Sequence, residues 1–323
     1  MSKKLALVFG CSGQDGALIS RSLLRKNYEV IGTSRSNEPN KAILKALKID
    51  KEIRIIKNDL NNIHQTRTLI DEIKPNCIYN FSAQSSVGRS FSYPLETQLS
   101  IVNATSTLLE ACRLIDYDGS VFFAGSSEMY GDSKSAINYN SKIDLRSPYA
   151  AAKYQSYLLV KTYRELYKLK AFTGILFNHE SPWRNENFIS HKIILGAIEC
   201  SRNKSHKVRL GNINISRDWG WADEYIEAIQ LMTNSKASKD YLICTGKLTS
   251  LKEFINITFS NLNLNWQDHI VIDQKYIREK DILQSFGDPI PMEKDLKWKA
   301  KFGVKEIIEK IIDVKIKLNT TCN

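Results

Sequence analysis

Apolar and polar positions alternate in blocks through the first half of the chain. Residues 5–9, Leu-Ala-Leu-Val-Phe, are apolar throughout, as expected of a strand buried on both faces of a parallel sheet. Residues 17–24 then carry apolar side chains at helical spacing. The order repeats: residues 29–33, 53–57, 77–81, 120–124 and 171–177 read as strands, residues 69–74 close a helix, and residues 95–115 and 148–167 read as two long helices. Such alternation predicts an α/β fold built on a doubly wound parallel sheet. After residue 178 the pattern gives way to polar turns and scattered tryptophans. A smaller C-terminal substrate domain is expected there, dividing the chain into residues 1–177 and 178–323. An element near residues 241–245 is expected to return to the sheet. The sequence contains no internal repeat and no low-complexity segment.

The first strand runs into Gly10, Cys11, Ser12, Gly13, Gln14, Asp15 and Gly16, spaced G-x-x-G-x-x-G, and a helix follows. Strand, glycine turn and helix together make the Rossmann-type dinucleotide-binding context that a lone glycine pattern lacks. Glycines let the backbone approach a pyrophosphate, and the helix start offers free N–H groups and a positive dipole end. An acid closing the second strand would bind the ribose 2′-hydroxyl of NAD. This chain has Thr33, Ser34, Arg35 and Ser36 there instead. Arg35 suits a 2′-phosphate, so NADP is the expected cofactor. Asp59 and Leu60 follow the third strand, where a side chain meets the adenine.

A length of 323 residues suits one large or two small domains, and 42% hydrophobic residues suffice for a core. No stretch approaches the roughly 20 apolar residues of a membrane span. Met1-Ser2-Lys3-Lys4 leads directly into the first strand, so no signal peptide is expected and the cytoplasm is the expected location. The six cysteines form no C-x-x-C pair and have no His at ligand spacing. Structural thiols are expected, and no metal site. The net charge of +11 is spread along the chain, with no basic run interleaved with aromatics and no basic amphipathic helix. Nucleic acid and membrane are therefore not the expected partners. A lysine-rich surface and two diphosphate ligands account for the charge.

The candidate chemistry lies in Ser147-Pro148-Tyr149-Ala150-Ala151-Ala152-Lys153. Helix positions i and i+4 share a face, so the Tyr149 phenol and the Lys153 ammonium point the same way. The ammonium favours the phenolate, which makes a base able to take a proton from an alcohol near neutral pH. Three more segments follow strands at the edge where such sheets bind ligands. They are Asn80-Phe81-Ser82-Ala83-Gln84-Ser85-Ser86-Val87, Ser126-Ser127-Glu128-Met129-Tyr130-Gly131 and Asn178-His179-Glu180-Ser181-Pro182.

With these segments the chain resembles the extended short-chain dehydrogenases/reductases, and more closely the GDP-mannose 4,6-dehydratase family. Leu210-Gly211-Asn212, Arg217-Asp218-Trp219-Gly220 and Gly287-Asp288-Pro289 extend the likeness over nearly the whole chain. The resemblance implies a lyase with internal redox. Tyr149 would take the proton from the hydroxyl at sugar carbon 4 while NADP accepts hydride. Lys153 would hold the tyrosine and the nicotinamide ribose. Glu128 would remove the proton at carbon 5 and help water leave carbon 6, and Ser126 would hydrogen-bond the sugar near carbon 4. Phe81, Ser82, Ala83 and Ser85, with His179 and Arg184, fall at cofactor-contacting positions; Ser85 also borders the expected sugar pocket. Asn178, Lys192, Arg217 and Arg278 fall at positions that hold a GDP-sugar's nucleotide and diphosphate.

The chain also departs from the family's pattern. Ser126 stands where the family has Thr, Trp183 where it has Arg, Trp221 where it has His, and Glu96 where it has a cofactor-contacting Tyr. The loop 34–40 is shortened; in the family it supports a tetramer, so the resemblance here implies a homodimer through the long helices, with a tetramer as the larger alternative. The hexose stays open between mannose and N-acetylglucosamine, since near relatives include a GDP-N-acetylglucosamine 4,6-dehydratase of legionaminic acid synthesis. A nucleotide-sugar 4-epimerase or 4-reductase of the same fold, and a catalytically silent NADP-binding regulator, are the alternatives.

Overall fold

A computed structural model of the chain describes residues 3–277 and 280–320; Arg278 lies outside the described residues. The chain divides into two compact units, each discontinuous in sequence. The first comprises residues 1–129, 147–176 and 226–243, and the second residues 130–146, 177–225 and 244–323.

The first unit is built on a parallel sheet of seven strands. Six are β1 (Leu5–Phe9), β2 (Glu29–Ser34), β3 (Arg54–Lys57), β4 (Cys77–Asn80), β5 (Ser120–Ser126) and β6 (Ala171–Leu176); the seventh is Tyr241–Ile243. Their order across the sheet is Tyr241–Ile243, β6, β5, β4, β1, β2, β3. The winding reverses between β1 and β4, paired from Ala6 with Cys77 to Phe9 with Asn80. That reversal opens a crevice at the carboxyl ends of the strands, where ligands bind in such sheets. On one side, Leu7, Phe9, Ile78, Val121 and Phe123 pack against Leu108, Leu109 and Val160.

The helix expected over residues 95–115 is broken. Helix Pro94–Gln98 passes into a π-helical turn, Leu99–Asn103, before helix Ala104–Leu114. The Ile101 carbonyl accepts the Thr105 hydroxyl at 2.6 Å and the Ser156 hydroxyl at 3.2 Å. Hydroxyls competing for a ladder carbonyl distort a helix at that point. The expected strand 171–177 likewise stops at Leu176, and Asn178–Glu180 is a separate strand in the second unit.

The second unit uses short strands. Asn178–Glu180 pairs with Trp219–Trp221, and Val208–Leu210 with Ile270–Ile272, both in parallel. Ser216–Arg217 lies between Thr249–Ser250 and Gln284–Ser285. Helices Ile189–Arg202, Leu251–Ser260 and Val304–Thr320 enclose Ile193, Ala197, Trp219, Phe254, Ile307 and Ile311. Among the described residues, no helix is long and apolar enough to cross a membrane.

Candidate active site

Glycine is required at both ends of the loop after β1. Gly10 has φ +78°, and a Cβ there would stand 2.8 Å from the Phe81 carbonyl carbon and the Ser82 nitrogen. A Cβ on Gly16 would lie 2.1 Å from the Gly10 oxygen. The loop is thus clamped between the tail of β4 and the start of helix Gln14–Arg25. Gly13 caps that helix without a side-chain hydrogen bond. A helix start of this kind, with its positive dipole end beside a glycine turn, suits a dinucleotide pyrophosphate. Asn80 shapes the facing segment: its Oδ1 accepts the Ser82 N–H at 3.1 Å and the Ser82 hydroxyl at 2.7 Å. The Ala83 N–H bonds the Phe81 carbonyl at 3.1 Å. Ser12 is half-buried and Ser85 exposed. The Gln14 amide donates to Asp15 at 2.9 Å. Arg35 is exposed directly beyond β2. Beyond β3, Leu60 is buried and Asp59 exposed, its Oδ1 accepting the Asn61 N–H at 3.0 Å.

Helix Pro148–Tyr167 begins at a well-made cap. The Ser147 hydroxyl accepts the Ala150 N–H at 3.0 Å, and Pro148 occupies the first turn, where its missing N–H costs nothing. Tyr149 and Lys153 are both buried. Tyr149 packs with Ala152 against Ile101 of the π-helical turn. The Lys153 ammonium lies 5.6 Å from the centre of the Tyr149 ring and donates to the Ala124 carbonyl at 2.8 Å. Burial pushes the lysine down to about 8, against the opposing pull of the Asp15 carboxylate. β5 ends at Ser126, and Glu128 follows in the 3₁₀ turn Ser127–Tyr130. Ser126 is buried, Glu128 half-buried, and the Glu128 N–H bonds the Ser126 hydroxyl at 3.3 Å. A hydroxyl, a carboxylate and a tyrosine–lysine pair are thus held in the first unit. Glu96, at the position of the expected tyrosine, is paired with Arg89 at 2.9 Å.

In the second unit, buried His179 bonds the Phe177 carbonyl through Nδ1 at 2.8 Å and stacks on Tyr225 with ring centres 4.9 Å apart. Asn178 opens the strand that pairs with Trp219–Trp221. The Arg184 guanidinium lies over the Phe188 ring at 3.9 Å, and its Nε is 3.8 Å from Glu180. Lys192 stands over the Tyr276 ring at 3.9 Å. Arg217 is buried, with a terminal nitrogen 3.7 Å from the Asp281 carboxylate. Beside it, the fully buried Asp218 accepts the Thr245 N–H and hydroxyl at 2.9 and 2.6 Å, and the Gly246 and Gly287 N–H groups at 2.9 and 3.3 Å. Burial pushes its carboxyl up from the usual range, opposed by those hydrogen bonds. Asn80 and Asp218 stand within motifs visible in the sequence, but only their partners reveal what they do. Among the described residues, no group of three or more His, Cys, Asp or Glu side chains is placed to hold a metal ion.

Solved structures with this fold include a dTDP-glucose 4,6-dehydratase from Bacillus anthracis, in complex with NAD, and a UDP-glucose 4-epimerase from Thermotoga maritima. The first is 18% identical, covers 97% of both chains and has a TM-score of 0.84. The second is 18% identical, covers 97% of this chain and 99% of its own, and has a TM-score of 0.85. At that identity they speak for the fold alone. Relatives closer in sequence are GDP-mannose 4,6 dehydratase 1 of Arabidopsis thaliana, 37% identical over 98% of this chain and 91% of its own length, and the Homo sapiens GDP-mannose 4,6 dehydratase, 33% identical over 99% and 93%. A Sinorhizobium fredii GDP-mannose 4,6-dehydratase is 32% identical over 94% of each. The family model described as GDP-mannose 4,6 dehydratase matches residues 7–311, a span that takes in the glycine loop, the Ser126–Glu128 turn and the Tyr149–Lys153 helix alike. The chain belongs to the GDP-mannose 4,6-dehydratase family.

Proposed function

We propose that the chain is a GDP-hexose 4,6-dehydratase that converts GDP-mannose to a GDP-4-keto-6-deoxy-hexose, using NADP as a recycled cofactor. The observation that carries this reading is the seating of Glu128 two residues after Ser126, at the carboxyl end of β5, in the same unit as buried Tyr149 and Lys153. An epimerase or reductase needs the tyrosine and the lysine; it does not need a second base. The first unit is the dinucleotide-binding part and the second the nucleotide-sugar-binding part.

When bound, the nicotinamide supplies a hydride acceptor for carbon 4 and a hydride donor for carbon 6. Gly10, Gly13 and Gly16 let the backbone approach its pyrophosphate, and Phe81, Ser82 and Ala83 line the groove beside Gly10. Tyr149 takes the proton of the 4-hydroxyl, and Ser126 holds that oxygen. Lys153 keeps a positive charge beside the phenol. The ketone formed at carbon 4 acidifies carbon 5. Glu128 then removes the carbon 5 proton and passes a proton to the departing 6-hydroxyl, so that water leaves; when carbon 6 receives hydride, carbon 5 regains one proton, which the proton taken up by Tyr149 from the 4-hydroxyl balances. Lys192 and Arg217 hold the diphosphate.

Purified protein incubated with GDP-mannose should yield a product lighter by one water and carrying a keto group. GDP-N-acetylglucosamine, UDP-sugars and dTDP-sugars are the comparison substrates. Preferred turnover of GDP-N-acetylglucosamine would move the hexose assignment, and exclusive turnover of UDP- or dTDP-sugars would overturn the guanosine assignment.

Arg35, beyond β2, is the basis for NADP over NAD. Arg35→Asp should weaken NADP binding by about ten-fold or more, the worth of a charge-assisted hydrogen bond, and leave NAD binding nearly unchanged. Equal affinity of the unaltered protein for NAD and NADP would overturn this assignment.

A homodimer is the assembly we propose. Leu95 is 70% exposed and Leu158 42% exposed, on the contacting helices Pro94–Gln98 and Pro148–Tyr167. Apolar side chains this exposed on packed helices suit an isologous partner. The double change Leu95→Arg and Leu158→Arg should give monomers by light scattering, whereas a monomeric or tetrameric unaltered protein would contradict the proposal.

A further inference from the structure

The chain Asp273-Gln274-Lys275-Tyr276 is an aromatic turn seated firmly on the second unit. Ile270–Ile272 pairs with Val208–Leu210, and the Asp273 N–H continues the ladder to the Leu210 carbonyl at 2.8 Å. The Asp273 side chain accepts the Lys275 N–H at 3.0 Å, and the Tyr276 N–H bonds the Asp273 carbonyl at 3.0 Å. A Cβ on Gly211 would stand 2.3 Å from the Tyr276 carbonyl oxygen, so the missing side chain of Gly211 lets the turn lie flat against residues 210–212. The backbone is thereby held in place, while Tyr276 is 46% exposed. Its ring is not buried for packing. One face carries the Lys192 ammonium, 3.9 Å from the ring centre.

Lys192 is also a cation assigned above to the substrate's diphosphate. Both placements cannot hold at once with equal strength. An ammonium over an exposed ring is worth about two- to five-fold in a binding constant. A charge-assisted hydrogen bond to a phosphate oxygen is worth about ten-fold or more. A nucleoside diphosphate therefore draws Lys192 off the ring and leaves a flat, half-exposed aromatic face beside the phosphate site. A base stacked on such a face gains about ten-fold or more.

We propose that Tyr276 is a specificity-determining residue: a stacking platform for the nucleobase of the substrate, covered by Lys192 until the diphosphate displaces it. This rests on the reading of the chain as a GDP-sugar enzyme. A purine presents two fused rings to the platform and a pyrimidine one, so the platform favours GDP over UDP beyond any edge contacts.

The test is titration of the full-length protein with GDP, UDP and guanosine, followed calorimetrically. Tyr276→Ala should weaken GDP binding about ten-fold and narrow the preference over UDP. Tyr276→Phe, which keeps the ring, should bind GDP as the unaltered protein does. Lys192→Met should weaken GDP binding but bind guanosine at least as tightly as before, because the ring face is then uncovered without a phosphate. GDP binding unchanged in Tyr276→Ala would overturn the platform, as would guanosine binding lost in Lys192→Met. Failure of the unaltered protein to bind GDP at all, with UDP binding intact, would instead remove the GDP-sugar reading on which the platform rests.

Discussion

Tyr149→Phe should lower kcat by about 10²–10⁴-fold, the usual contribution of a positioned general base, with little change in thermal stability. Only one hydroxyl is removed; the ring keeps its place against Ile101 and Ala152. Circular dichroism and NADP titration should match the unaltered protein, while product formation falls. A kcat within ten-fold of the unaltered value would sink the assignment of Tyr149 as base. The neighbouring lysine adds a pH signature. Burial holds Lys153 down to about 8, so the positive charge beside Tyr149 is present below that pH and is lost as pH rises through it. Activity should decline on the alkaline side from about pH 8. Lys153→Arg, whose guanidinium stays charged at far higher pH, should move that alkaline decline upward.

Much of the first unit was legible because its signals are local. The apolar run of β1 has the bounds read from the sequence, Leu5–Phe9, and so does helix Pro148–Tyr167. That helix starts at a Ser–Pro cap and ends at Lys168 in a left-handed conformation, so both limits are set by a few adjacent residues. The break at Leu99–Asn103 was not legible. Its cause includes a hydroxyl from Ser156, 55 residues further along the chain, and the run itself shows no proline or glycine within those five residues.

The candidate site divides in the same way. Helix spacing brought Tyr149 and Lys153 into view, and the family resemblance of the segment after β5 brought in Ser126 and Glu128. What each one touches was hidden. Lys153 donates to a β5 carbonyl. Arg217 faces the Asp281 carboxylate, and Glu96 is committed to Arg89. Asp218 is a central fastener of the second unit, yet its donors come from residues 245, 246 and 287. Long-range partners of this kind leave no periodic trace in a single sequence. The Lys192–Tyr276 contact, between residues 84 positions apart in number (276 − 192), belongs to the same class.

Glu128→Gln should separate the two halves of the reaction. Glutamine keeps the size and hydrogen-bonding capacity of glutamate but cannot accept a proton at neutral pH. The half-buried side chain in the turn Ser127–Tyr130 should therefore keep its place, and Ser126 should still hold the 4-hydroxyl for Tyr149. Oxidation at carbon 4 uses Tyr149, Lys153, Ser126 and the nicotinamide as hydride acceptor, none of which the change removes, so it should proceed. Proton removal at carbon 5 should not, and the 6-deoxy product should fall by about 10²–10⁴-fold. In a single turnover with GDP-mannose, reduced-nicotinamide absorbance should rise and persist in the variant, whereas in the unaltered protein it should rise and fall. In heavy water the carbon 5 hydrogen should exchange with solvent only when Glu128 is present. A Glu128→Gln protein that forms the 6-deoxy product at a near-normal rate would remove Glu128 as the base. One that neither oxidises carbon 4 nor binds GDP would show the side chain to hold the site together instead. The dehydratase reading needs a variant that stalls after carbon 4, because that stall distinguishes a second base from a carboxylate that only shapes the turn.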